Sequence, residues 1–504
     1  MPAIRFAPRP QPEVRRRRRA FGLVLAVVFL VALAARLVPV LRGGGLYGSD
    51  TYDDGVHFAA ALALIHGRWP YADFLLLHPP GIVLALSPFA GLSALTSDGV
   101  GFAVARVAWM VLGSITAVLV SRLLRPLGLL AAAAGGLCYA LYLPAIRAER
   151  TTMLEGLTSL LLVVALLLVC RDRTPPSRGA LVAAGVLLGV SSATKIWGVV
   201  VLVVVLGWVL RRAGRRAALR LGAGAALGAG VVCLPFFLTA PEAMWRMVVL
   251  DQIGRPGGTA GFAERLAVIA GLLPEPLDPW LVTSAAGLVV VALLLAVRSP
   301  WPIAPLLVAV MAAVLLAAPS FYLHYPAALA VPLALSVGSA VAVAYGWLAA
   351  RVCGLAVAAV GVAAVAAGLA AAPVLTVPAG QALPRTELSG LLAGREGCVT
   401  SDDPTTLIES DVFSRNLRRG CRAVVDLSGY SYDLTRGLDV SRSQNPVFQQ
   451  FALDYLASGE WTVVTRFHRG WGYSGQTVRE ISRWPVVEKA GTYRLRRSES
   501  FGPG

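Results

Sequence analysis

The sequence predicts an α-helical polytopic membrane protein of about eleven spans with a small α/β domain at its C-terminal end. Three observations predict it. The 504 residues are 57% hydrophobic and 14% charged, with a mean hydropathy of +0.69, whereas a soluble globular chain is about 45–50% apolar and about 25% charged. The apolar residues fall in long runs without a charge, as at 180–193, 199–210 and 352–369. Arginine clusters punctuate those runs at 15–19, 122/125, 171–178, 211–220, 298 and 351, the pattern that marks cytoplasmic loops. A soluble enzyme and a disordered chain are both excluded. The net charge of +17 does not point to nucleic acid either, because residues 376–504 hold fifteen Arg and Lys489 against fourteen acids. The excess belongs to the clusters between apolar runs.

Residues 1–20 read as a basic cytoplasmic N-terminus. The apolar stretch that follows, 21–40, is too long for a signal-peptide core and lacks a small-residue cleavage site, so it reads as the first transmembrane helix. If every arginine cluster is cytoplasmic, an even number of crossings separates neighbouring clusters. Between Arg19 and Arg122 lie three apolar stretches, 21–41, 81–97 and 100–121, so one does not cross. Residues 81–97 follow Pro79-Pro80-Gly81, carry Pro88, and reach only about 25 Å at 1.5 Å per residue. They are expected to form an interfacial or re-entrant helix. The remaining spans are 127–145, 152–170, 179–194, 197–210, 217–238, 279–297, 302–318, 326–348 and 352–373, of which 197–210 is short.

This arrangement leaves residues 42–99 and 376–504 outside. In the tail, short apolar runs begin at Cys398, Ala423, Trp461 and Tyr493 and read as strands, with helix-like stretches at 405–413 and 447–456 between them. Four of the six cysteines lie in or beside apolar runs. Cys398 and Cys421 are the pair in the tail, and in an oxidising compartment they are expected to form a disulfide joining its first two strands.

Residues able to do chemistry concentrate on the outer side. The first loop contains Asp53 and Asp54, then His57, His66 and His78, so it holds three of the five histidines. The acid pair reads in two ways: as a helix start with negative charge at the positive dipole end, or as an acid/base pair in which one carboxyl is raised by the other. Asp53 and His57 share a helical face at i, i+4, but a third metal ligand at a diagnostic spacing is missing. Lys195 is one of two lysines against 43 arginines; it either snorkels to the interface or holds a lipid phosphate. Glu155 falls near an apolar core, where an ionisable group is costly unless paired or functional. Arg255 lies on one further outer turn, and His324-Tyr325-Pro326 on another. The cytoplasmic loops hold little besides arginine.

Together the acid pair in a long first external loop, the segment ending His78-Pro79-Pro80-Gly81 and the His324-Tyr325-Pro326 turn resemble the GT-C glycosyltransferases. The likeness covers roughly residues 21–350, and is to the bacterial family-39-type and aminoarabinose-transferase-like branch. The resemblance implies a membrane enzyme that moves a sugar from a polyprenyl-phosphate donor to a cell-envelope glycan, lipid or protein acceptor, with inversion. It implies Asp53 as the base, with Asp54 and Glu155 in the places of further acids. In the family a cation that can meet the donor phosphate precedes Pro-Pro; here His78 stands in that place, with Lys195 and Arg255 as further candidates for the same role. His57, His324 and Tyr325 would line the substrate cavity. No nucleotide cofactor is implied, and no P-loop or dinucleotide glycine motif is present; a divalent metal would have only Asp53 and His57. A transporter or lipid-linked-sugar flippase is the main alternative, but a second copy of the Asp-Asp or Pro-Pro-Gly elements, as paired halves would give, is missing. A scaffold whose acids merely cap helices is the third reading.

Overall fold

Apolar runs become helices because, in hydrocarbon, only internal hydrogen bonding satisfies the backbone. The computed structural model describes residues 12–170, 176–255, 258, 260–272, 278–349, 377–434, 440–465 and 471–498. Five helices there are long and apolar enough to cross a membrane: Arg15–Arg42, Asp98–Leu127, Arg215–Thr239, Pro279–Ala296 and Tyr325–Trp347. A sixth crossing is made if Leu129–Leu141 and Leu143–Glu149 count as one span, bent by 58° where Pro144 begins the second half. Leu154–Val169, Arg178–Ser192 and Ile303–Ala317 are shorter apolar helices, and Gly198–Ala213 has 16 residues. Among the described residues, five or six helices thus reach full-span length, and the other apolar runs form helices of 13–16 residues. The expected span at 352–373 lies outside the described residues. Gly81–Ser93 is a separate helix of 13 residues, too short to cross alone at 1.5 Å per residue. Ser97 then caps the next helix by accepting from the Val100 N–H.

Small residues set one helix pair. Between Arg178–Ser192 and Arg215–Thr239, Gly185 and Gly189 lie against the backbone of Leu221 and Ala225, and Gly224 and Gly228 against that of Val182 and Val186; a Cβ on Gly189 would lie 2.1 Å from the Ala225 carbonyl oxygen. This is the small-xxx-small contact that lets backbones touch where lipid offers no hydrophobic driving force.

The tail carries a four-stranded sheet of β1 (Val399–Ser401), β2 (Trp461–Val463), β3 (Val486–Ala490) and β4 (Tyr493–Arg497), in the order β1-β2-β4-β3. β1 and β2 are parallel, and the other pairs antiparallel. Residues 423–425 form no strand; Val424 and Val425 are buried in irregular backbone. The β3 strand was not foreseen, since its side chains are mostly exposed and give no alternation. The expected helix at 405–413 is two short ones, Pro404–Glu409 and Phe413–Arg418, separated by Asp411 at φ 58°. Cys398 and Cys421 are disulfide-bonded. The bond ties the start of β1 to the turn after the second of those helices, not to another strand. Asn416 braces the same place by bonding both the N–H and the carbonyl of Val399.

One buried core runs through the first loop and the tail alike. It includes Phe58, Phe74, Leu75 and Ile82 from the loop, Phe102 and Trp109 from the long helix, and Leu407, Phe413 and Leu495 from the tail. Polar contacts close the seam. Asp98 accepts from the Ser414 N–H at 2.8 Å and its hydroxyl at 2.6 Å. Gly55 lies so near the tail that a Cβ there would fall 2.3 Å from Thr405 Oγ1. This packing presses the start of the loop helix against the tail and opens a cavity beside it.

Candidate active site

The adjacent acids have opposite surroundings. Thr51 is extended and the helix Tyr52–Ile65 begins after it, with Asp53 and Asp54 in its first turn. Consecutive helical residues point about 100° apart, so the two carboxylates leave the helix on different sides. Asp54 is fully buried. Its Oδ2 accepts from Arg106 Nε at 2.9 Å, and its Oδ1 from the Thr152 N–H at 2.8 Å and hydroxyl at 2.7 Å. Asp53 instead faces a cavity of about 380 Å3, a size suited to a small ligand. Among the described residues no hydrogen bond or ion pair engages its carboxylate.

Three parts of the chain wall that cavity. The first loop supplies Asp53, His57 and His78; the breaks between helices supply Lys195, Arg255, His324 and Tyr325; the tail supplies Asp426, Tyr432, Arg442 and Trp471. Lys195 sits where the chain turns between Arg178–Ser192 and Gly198–Ala213. It pairs with Glu155, and its ammonium lies 4.5 Å from the centre of the Trp197 ring and 4.4 Å from that of Tyr325. Arg255 donates to the Tyr325 hydroxyl at 3.2 Å and stands 4.7 Å over Tyr432. His324 Nε2 is 3.9 Å from Glu155 Oε1.

Several polar atoms around this space are buried and lack a protein partner: His57 Nε2, Glu155 Oε2 and Arg255 Nε. Such atoms are costly in a finished core; at a cavity edge they are what a polar ligand would meet. His57 holds its place through Nδ1, 3.2 Å from the Thr152 carbonyl. Burial lowers the His57, His78 and His324 imidazoles below their ordinary range, and for His78 the neighbouring His57, Lys195 and Arg255 add to the effect. These shifts favour the neutral ring at His78, the residue before Pro79-Pro80. Lys195 and Arg255 remain as the cations of that end.

Most residues singled out in the sequence converge here. Asp53, His57, His78, Lys195, Arg255, His324 and Tyr325 share the lining. Glu155 is reached through Lys195 rather than directly, and Asp54 lies behind the wall. Asp426, Arg442 and Trp471 had given no sequence signal: each sits in an irregular stretch or a short helix of the tail, where spacing carries no face. Among the described residues no group of three or more His, Cys, Asp or Glu is placed to hold a metal ion.

No family model and no curated protein matches the sequence; solved structures do match the fold. ArnT from Cupriavidus metallidurans, in a structure bound to undecaprenyl phosphate, superposes with a TM-score of 0.55 at 16% identity, over 96% of this chain and 98% of that one. Its apo structure gives 0.57 at 17% identity, over 96% and 100%. The archaeal oligosaccharyltransferase AglB from Archaeoglobus fulgidus, in complex with an inhibitory peptide and a dolichol-phosphate, gives 0.61 at 12% identity, over 96% of this chain and 75% of that one.

Proposed function

The chain has the GT-C fold, and we propose that it is a membrane glycosyltransferase moving a sugar from a polyprenyl-phosphate donor to a cell-envelope acceptor. One observation carries this reading: an unengaged carboxylate, Asp53, shares a cavity with two cations, Lys195 and Arg255, while its neighbour Asp54 is locked away. Lys195 and Arg255 hold the donor phosphate. Asp53 takes the proton of the acceptor hydroxyl as that oxygen bonds to the anomeric carbon. The bond from that carbon to the phosphate oxygen breaks, its electron pair leaving on the phosphate, and the anomeric centre inverts. Because the leaving group is already a phosphate held by cations, the step uses no nucleotide cofactor. The ArnT and AglB structures that share the fold were solved with undecaprenyl phosphate and dolichol-phosphate, which supports a polyprenyl-linked donor here. In this reading the N-terminus is cytoplasmic, and residues 376–504 form an extracytoplasmic domain.

The test is lipid mass spectrometry of the purified protein beside Asp53→Asn. A polyprenyl-phosphate-linked sugar should accumulate on the variant, and transfer should fall by about 10²–10⁴-fold, the usual contribution of a general base. Transfer at the wild-type rate in Asp53→Asn would remove the base assignment.

A further inference from the structure

One end of the cavity is not used by the steps above. There Asp426 Oδ1 accepts from the Gly429 N–H at 2.8 Å, and the Tyr52 hydroxyl bonds the same carboxyl while accepting from the Ser428 N–H at 3.1 Å. The carboxyl's position depends on Gly429, where a Cβ would fall 2.3 Å from Asp426 Oδ2 and 2.8 Å from Leu75 Cδ2. Beside it, Arg442 donates to the Trp471 carbonyl at 2.9 Å and to Ser431 Oγ at 3.3 Å, with its guanidinium 5.5 Å from the centre of the indole ring. Trp471 in turn meets the Tyr52 ring edge-on at 6.2 Å. A carboxylate, a guanidinium and an aromatic face thus line the cavity together, each held by contacts to its own surroundings.

That triad matches one chemistry well. Adjacent hydroxyls of a sugar ring donate to a carboxylate and accept from a guanidinium, while the C–H face of the ring covers an indole. An acyl chain would cover both charged groups while offering neither any further hydrogen bond, at a cost. The order of charges along the cavity supplies the second argument. Lys195 and Arg255 both gather on Tyr325, whereas Trp471 meets the ring of Tyr52, whose hydroxyl bonds Asp426 and whose next residue in the chain is Asp53. Asp53 is therefore tied to the Asp426 end, while the two cations gather at the other. Burial, then the negative charge of Asp53, raises the Asp426 carboxyl, which suits it to share hydroxyl protons.

We infer that Asp426, Arg442 and Trp471 form the acceptor subsite, and that the acceptor presents a carbohydrate ring. The inference rests on the transfer reading: in-line attack puts the acceptor oxygen opposite the departing phosphate, so with the phosphate on Lys195 and Arg255 the acceptor enters past Asp426.

The experiment uses the full chain in detergent and three soluble probes: methyl α-mannopyranoside, methyl α-arabinofuranoside and a capped threonine tripeptide. Binding is read by saturation-transfer NMR, and co-purifying lipid by mass spectrometry on the same samples. At least one glycoside should bind the wild type and the peptide should not. Asp426→Asn, which keeps the shape of the side chain, should weaken glycoside binding by at least about tenfold, the scale of one charge-assisted hydrogen bond. Trp471→Leu should do the same by removing the stacking face, and both variants should retain the lipid-linked sugar. Equal glycoside binding in wild type and both variants, or none in the wild type, overturns the subsite. Binding of the peptide in place of the glycosides overturns the ring assignment and indicates a protein acceptor. Glycoside binding that depends on Asp426, with no lipid-linked sugar even on Asp53→Asn, supports the subsite while the transfer reading fails.

Discussion

Arg36 with Glu149, and Lys195 with Glu155, are both ion pairs buried among the helices, yet they are built for different ends. Arg36 and Glu149 are enclosed. Arg36 spends its guanidinium on Glu149 and on the carbonyls of Ala32 and Ala140, and the Tyr139 hydroxyl donates to the other Glu149 oxygen. Neither residue has a buried side-chain atom without a partner. The second pair opens on the cavity: Lys195 lines it, Glu155 Oε2 lacks a partner, and His324 stands at 3.9 Å. A completed network fixes helices, whereas an incomplete one beside a cavity keeps bonding capacity for something not yet bound. The difference shows that a buried charge in a membrane helix is not by itself a sign of catalysis; what matters is whether its partners are used up.

The largest effect should come from breaking the enclosed pair. Glu149→Gln leaves Arg36 as an uncompensated charge and should destabilise the fold by about 3–5 kcal/mol, seen as a drop in the thermal unfolding midpoint in detergent. A wild-type midpoint would mean that the cluster is not what holds these helices.

Lys195→Met should cost less, about 1–3 kcal/mol, because Glu155 keeps His324 at 3.9 Å and the lost ammonium is one that faces a cavity, but it should abolish retention of the polyprenyl phosphate. Adding Glu155→Gln should restore the midpoint and leave lipid retention lost. Recovery of both would make Lys195 a structural residue like Arg36.

A pH dependence sharpens the contrast with an intermediate case. Glu409 of the tail lies between Arg106 and Arg385, and burial pushes its carboxyl up to about 8. Burial prevails because Arg106 is already committed to Asp54 and reaches Glu409 only at 3.4 Å. The folded state then keeps a proton that the unfolded state, titrating near 4.3, has released. Stability contributed by Glu409 should fall as pH rises from about 4.3 to about 8, and level off above that. Thermal midpoints between pH 5 and 9 should show this slope in the wild type relative to Glu409→Gln. Parallel curves would mean that Glu409 stays ionised between its two arginines.

The polytopic character, the tail's α/β content and its disulfide were legible, because composition, run length and cysteine placement bear on them directly. Helix lengths were not: parity of arginine clusters counts crossings, but it cannot see that 154–169, 178–192 and 303–317 form helices of only 15 or 16 residues. Within the first loop the spacing placed Asp53 and Asp54 together and left open whether they cap a helix or do chemistry. The structure divides the two roles, with Asp54 taken up by Arg106 and Thr152 and Asp53 left facing the cavity. The His78 position was legible and the burial of its ring beside Lys195 and Arg255 was not, since that is a property of the assembled site.

The sequence by itself determined that this chain lies in a membrane and that its chemistry-bearing residues collect largely outside the long apolar runs. Both follow from local rules, hydropathy and charge placement, whereas Asp53 came to the head of the candidates through the resemblance to the GT-C glycosyltransferases. Only the tertiary structure decided that Lys195, Arg255 and His324 meet Asp53, and that Asp426, Arg442 and Trp471 of the tail close the same space. Those residues are separated by tens to hundreds of positions, and no periodicity of 2 or 3.6 links them. Their meeting depends on a core shared by loop and tail, whose packing is fixed by volume and contact rather than by pattern.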